Sequence, residues 1–304
     1  MNVDAESNLD AVALRQSAAD ADIPATEAGT SAACDAAAES ADEAIVAPLN
    51  SPVPMAELGT KVAYIETGAS GIQTIEVSTG GGDIIIQAHD QSGIAVYALD
   101  HDAAVSQLEL SVKENLVQVV AKARKTPRRL MVWRHRSQTT VKVLLPAGIF
   151  LNAKTDTGHI RITGARHGFE LKTNSGDIHL TDAAGVLSAK SASGHISGAI
   201  ETDNVHLLTG SGHVSLTGLT GSLNYKTTTG ALRAVWAQSP SLGTIEIKAG
   251  KGSVALTLPR ETRMNSRFIT GPTPIMNQFE NDANSGFSLG VTMRSGSLEI
   301  RKAE

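Results

Sequence analysis

His159, Asp177, His195 and His213 stand eighteen residues apart, each directly after a glycine. Imidazole and carboxylate are ligands for zinc and similar divalent ions, and they are also the usual groups of general acid–base chemistry. If eighteen residues make one turn of a repeating structure, the four side chains form an outward column, with neighbours about 5 Å apart at Cα. His179 falls on the same face. The set is therefore a candidate metal site, with a plain solvated face as the structural alternative. It is a poorer candidate for a polysaccharide-cleaving centre. The column holds one carboxylate, while Glu170, Asp182 and Glu201 occupy other positions of the repeat, so no catalytic residue is assigned.

A second column contains Lys154, Lys172, Lys190 and Lys226 and is broken by Leu208. Like charges one rung apart repel, so the column reads either as a contact for an anionic polymer or lipid headgroups, or as a device that keeps a strand soluble. The densest charge is KARKTPRRLMVWRHR, residues 122–136, with seven Lys or Arg around Trp133. Pro127 and its polar neighbours predict a hairpin loop. Arg128, Arg129, Trp133, Arg134 and Arg136, with Lys154, Lys172 and Lys190, form a candidate anion or membrane contact. No nucleic-acid-binding motif accompanies the loop, so nucleic acid is not the expected partner. KAGKGS (248–253) lacks the first glycine of a phosphate-binding loop, and GSGHVSL lacks the spacing of a dinucleotide fingerprint. No cofactor is expected.

The elements that carry these columns repeat five times. KTDTGHIRI (154–162), KTNSGDIHL (172–180), KSASGHISG (190–198), LTGSGHVSL (208–216) and KTTTGALRA (226–234) share a Thr/Ser-x-Ser/Thr-Gly stretch followed by alternating apolar residues. Such period-two patterning marks a half-buried strand. Halfway between lies a second strand, aligned at Leu151, Phe169, Leu187, Val205 and Leu223. Each unit thus predicts two strands of about five residues joined by turns of about four, the glycine permitting positive φ at its turn. One unit has a single apolar face and cannot bury it alone. Stacking units at ~4.8 Å makes a shared core. The expectation is an all-β chain, a β-solenoid or flattened β-roll of eighteen-residue rungs, with an antiparallel meander sandwich as the alternative.

The chain divides by composition. Residues 1–50 hold sixteen Ala and ten Asp or Glu, with Arg15 the one cation, which gives about −9. So few large apolar groups cannot offset an ordering entropy of roughly 1–2 kcal/mol per residue, and residues 1–58 read as a disordered acidic arm. The remainder carries 25 Lys or Arg against 21 Asp or Glu, about +4. It reads as one repeat domain: irregular first strands over 59–148, regular repeats over 149–235, and C-terminal rungs with a cap over 236–304. Cys34 is the lone cysteine, which rules out an internal disulfide framework. There is no basic stretch leading into an apolar signal core and no run of eighteen apolar residues, so the expectation is a cytoplasmic chain, free or peripheral to the membrane.

VKVLLPAG (141–148) leading into LNAKTDTGHIRITG, the iterated T-x-[ST]-G-[DH]-[IV] units and a final SGSLEI resemble a bacterial family, domain of unknown function 4097, which carries the label "putative adhesin". The resemblance covers residues 60–302 and implies an all-β, solenoid-like domain linked to the envelope or its stress response, with no catalytic residues to carry over. The expected function is non-enzymatic binding or scaffolding of a protein partner, an anionic polymer or a membrane surface. The alternative is a metal-dependent or polysaccharide-active enzyme using the His/Asp column.

Overall fold

A unit with one apolar face is stable only against its copies, and the computed structural model shows those copies stacked. It describes residues 60–65, 71–99, 106–123 and 139–304, among which there is no helix. Among the described residues seven strands precede the regular repeats: β1 (Thr60–Ile65), β2 (Thr74–Thr79), β3 (Ile84–His89), β4 (Ile94–Leu99), β5 (Ser106–Lys113), β6 (Leu116–Ala123) and β7 (Thr140–Pro146). The repeats supply β8 (Phe150–Thr155), β9 (Ile160–Thr163), β10 (Gly168–Thr173), β11 (Ile178–Ala184), β12 (Val186–Ser191), β13 (Ile196–Thr209), β14 (Val214–Thr229) and β15 (Leu232–Trp236). The last strands are β16 (Gly243–Leu258), β17 (Asn265–Thr270), β18 (Ile275–Asn277) and β19 (Phe287–Lys302).

Every rung contributes one segment to each of two walls. On the first wall Leu151, Phe169, Leu187, Val205 and Leu223 are paired in parallel register through β8, β10, β12, β13 and β14. On the second, Ile160, Ile178, Ile196, Val214 and Leu232 are paired in the same way. All ten are buried between the walls. Each such aliphatic or aromatic side chain contributes roughly 1.5–3 kcal/mol relative to exposure. This is the β-solenoid, and parallel register replaces the meander alternative. Antiparallel pairing among the described residues is confined to the first end of the stack, where β5 lies against β6, β4 against β7, and β1 against β4.

Three features depart from the expectation. Both corners of a rung were expected to be turns, but β13 and β14 run through the second corner, which they cross by register shifts at Ala199/Thr202 and Thr217/Leu219. The ends are also stacked out of chain order. β6 and β7 lie outside β2 and β3, which pair directly with β8 and β9. At the other end β19 inserts between β16 and the outermost pair, β17 and β18.

The third departure concerns the glycine corner. In the five regular repeats left-handed backbone is found at the second corner instead, at Gly164 (φ 75°), at Asp182 eighteen residues on (φ 48°), and at Gly218 (φ 92°), while the glycine corner has positive φ in its later rungs, at Gly252 (φ 148°) and Gly296 (φ 136°). What the column of Gly158, Gly176, Gly194 and Gly212 requires is close approach. A Cβ on any of them would overlap the carbonyl oxygen of the equivalent glycine in the adjoining rung. The hydroxyl three residues earlier completes the corner: Thr155, Thr173 and Ser191 each accept the glycine N–H, at 3.0, 2.9 and 2.7 Å. In the Gly230 rung the glycine N–H donates to the Lys251 carbonyl instead, and the buried Thr227 hydroxyl has no partner among the described residues.

Candidate functional site

The His/Asp column exists, and its side chains are used by the backbone. Asp83 Oδ1 accepts the His159 amide at 2.8 Å, His159 Nδ1 the Asp177 amide at 3.1 Å, Asp177 Oδ1 the His195 amide at 2.7 Å, and His195 Nδ1 the His213 amide at 3.2 Å. Asp83, His159, Asp177 and His195 thus each close a hydrogen bond that the turn would otherwise leave to water, while the His213 ring stacks on His195. His159 Nδ1 is also 3.6 Å from Asp177 Oδ2. One nitrogen cannot both accept the amide and donate to the carboxylate. The shorter contact, and its repeat at His195, make Nδ1 the acceptor, which leaves Nε2 to carry the ring N–H.

This geometry does not build the metal set. The His195 and His213 rings are stacked at 5.1 Å between centroids and 7° from parallel, whereas two nitrogens on one zinc at Zn–N ~2.1 Å sit roughly 3.4 Å apart. His179 turns to Ser197 Oγ of the next rung, at 3.1 Å. Among the described residues no three His, Cys, Asp or Glu side chains converge as a metal cage. Asp177→Ala is expected to lower stability by about 1 kcal/mol by removing the acceptor for His195, while Asp177→Asn, which keeps Oδ1, stays near wild type in urea denaturation. Nitrogen chemical shifts of His159 and His195 should report the Nε2–H tautomer.

The lysine column is in register as expected. Lys154, Lys172 and Lys190 are paired in consecutive rungs, followed by Leu208, Lys226 and Lys248. Lys248 was missed in the sequence, although it stands four residues before Gly252 as Lys226 does before Gly230. Asp83 was missed for the same reason: Gly82-Asp83-Ile84 carries the repeat signature but lies 76 residues from the next member of its column. Lys172 and Lys248 bond to Glu170 (2.5 Å) and Glu246 (2.6 Å) on their own strands. Lys154, Lys190 and Lys226 are exposed and form no ion pair among the described residues.

Beside this row residues of the glycine corner line a groove. One stretch, about 430 Å³, runs from Lys154 past Lys190 and Leu208 to Thr228. A second, about 650 Å³, begins at Lys226 and Thr228 and continues to Ile269 and Arg294. Its floor is made of small residues, including Ala192, Gly210 and Gly250. Asp156 enters at one end, where its Oδ1 accepts from Asn174 at 3.3 Å. Arg128, Arg129, Trp133, Arg134 and Arg136 lie outside the described residues, as does the acidic arm. The strands flanking the basic segment, β6 and β7, end and begin at this same glycine corner.

No curated protein matches the chain. Three solved structures are similar to it over most of their length. A "putative cell adhesion protein" from Clostridium sporogenes has 14% identity and a TM-score of 0.27, covering 79% of this chain and 97% of its own. A "putative adhesin" from Bacteroides fragilis has 12% identity and a TM-score of 0.33, covering 76% and 93%. A "putative lipid binding protein" from Parabacteroides distasonis has 12% identity and a TM-score of 0.36, covering 81% and 98%. At these scores the assignment rests on the family match. A family model described as Toastrack DUF4097 matches residues 72–299, three-quarters of the 304 residues and the whole run of stacked rungs from β2 into β19; the chain belongs to that family.

Proposed function

We propose that the chain is a non-catalytic binding domain whose recognition surface is the lysine-walled groove at the glycine corner. The observation that carries this is the coincidence of a row of cations with two adjoining recesses, Thr228 lining both. The groups that would otherwise do chemistry are engaged in structure. The column imidazoles and carboxylates hold backbone amides, and Glu170 and Glu246 are bonded to lysines. The adhesin and lipid-binding names of the similar structures describe binding roles for those proteins and agree with a binding role here.

Ala192 is exposed on the groove floor, so Ala192→Trp fills the recess without entering the core. On an array of neutral and charged glycans and lipids, ligands captured by the full chain should be lost with this variant and left chemically unchanged by the wild type. Undiminished capture by Ala192→Trp, or turnover of a captured ligand, would contradict the reading. Replacing Arg128, Arg129, Arg134 and Arg136 by Gln in a separate variant isolates the contribution of the basic segment.

A further inference from the structure

We infer that the groove takes a linear anionic polysaccharide, laid along the stack with its acidic groups toward the lysine row. This rests on the groove being the recognition surface, and it adds the ligand's class.

The groove is long. Lys154, Lys172, Lys190, Leu208, Lys226 and Lys248 are followed in register by Thr292 and Ile269, seven rung spacings in all. At ~4.8 Å each this is roughly 35 Å. A single phosphate or headgroup is satisfied by one or two lysines. The lysines without an ion pair among the described residues, Lys154, Lys190 and Lys226, recur at every second rung, a regular spacing that matches a polymer whose own charges repeat.

The outward face of the first wall carries Glu76, Glu170 and Glu246 in one register column beside the lysines. An anionic membrane lying flat on that wall would meet these carboxylates as well as the lysines. A single chain lying in the groove meets the lysine edge, with Asp156 at one end as the carboxylate among the described lining residues.

Among the described residues no aromatic side chain lines either stretch of the groove, whereas single-stranded nucleic acid is held largely by base stacking on aromatic rings. The recess instead offers the hydroxyl of Thr228, the amide of Asn174, small residues, and Leu208, 38% exposed, at the break in the lysine row. That combination suits a hydroxyl-rich chain with apolar ring faces. Lysine ammonium groups are point charges without the fixed fork of arginine, so they accept carboxylate or sulfate at varied angles.

The test is calorimetric titration of the full chain with dextran sulfate fractions of graded length. Unmodified dextran, oligo-dT and phosphatidylserine-containing vesicles are the comparators. Dextran sulfate should bind, dextran should not, and affinity should rise with length until the groove is filled. Replacing Lys154, Lys190 and Lys226 together by Gln should weaken binding about tenfold or more. It should also reduce the slope of log affinity against log salt by about two to three. Leu208→Lys, which completes the row, should tighten it severalfold.

Absent binding of dextran sulfate, or tighter binding of oligo-dT or vesicles at matched charge, would overturn the inference. If Ala192→Trp abolishes binding and the triple lysine variant does not, the polyanion assignment fails while the groove remains the recognition surface. If neither variant changes binding, both readings fail.

Discussion

Gly176→Ala should destabilise the protein by about 3–5 kcal/mol, although it adds one methyl group at a corner near the surface. The added Cβ would overlap the Gly158 carbonyl oxygen and press on its carbon. Both are backbone, so neither can turn aside as a side chain does. The two rungs must separate at that corner, which strains the amide bonds on either side of it, including the Thr173 hydroxyl to Gly176 N–H bond at 2.9 Å. Gly148→Ala is the matched control: an added Cβ there meets nothing within 4 Å. Its backbone is not left-handed, so the variant should be neutral or gain a few tenths of a kcal/mol. Denaturation midpoints of the two variants make the comparison, and equal effects would show that the corner is not close-packed between rungs.

Tyr225→Ala should cost about 3–5 kcal/mol by leaving an aromatic-sized cavity between the walls. Tyr225 is fully buried, in register with Leu207 on one side and Ile247 on the other. Its neighbours are held by backbone ladders at fixed spacing, so the walls cannot collapse to fill the space. Its hydroxyl lies 3.4 Å from Thr209 Oγ1, a long contact. Tyr225→Phe is therefore expected to cost only about 1 kcal/mol. Thermal denaturation of the two variants separates the packing contribution from the polar one.

The regular middle of the stack was legible because its determinants are local and repeated. Alternation after each glycine placed Ile160, Ile178 and Ile196 inside, and an interval of eighteen placed them over one another. The cause of the glycine column was not legible in the same way. A corner glycine suggests a left-handed turn, but the constraint at Gly176 comes from the neighbouring rung, which no single repeat contains. The order of rungs at the ends was hidden for a related reason. Nothing near β2 in the chain specifies that it pairs with both β6 and β8, because those partners lie far from it in the sequence. At the site, the lysine row was visible as residue types at fixed spacing, while the groove beside it was not. A recess depends on which residues meet at a corner, and small ones such as Ala192, Gly210 and Gly250 mark it only after the corner has been located. The His/Asp column shows the opposite case. Its residues were correctly aligned, and their role as acceptors for the next rung's amides follows from the backbone geometry of the turn.

The central claim is that residues eighteen apart lie one rung apart, which is what gathers the lysines into a row. In a Cys34→Ser background, spin labels at positions 154 and 226 are four rungs apart, and pulsed dipolar spectroscopy should give a separation near 19 Å at ~4.8 Å per rung. An antiparallel sheet with one strand per nine residues would separate the same positions by about 38 Å. A distance near the larger value would contradict the stack, and with it the groove and everything proposed to bind there.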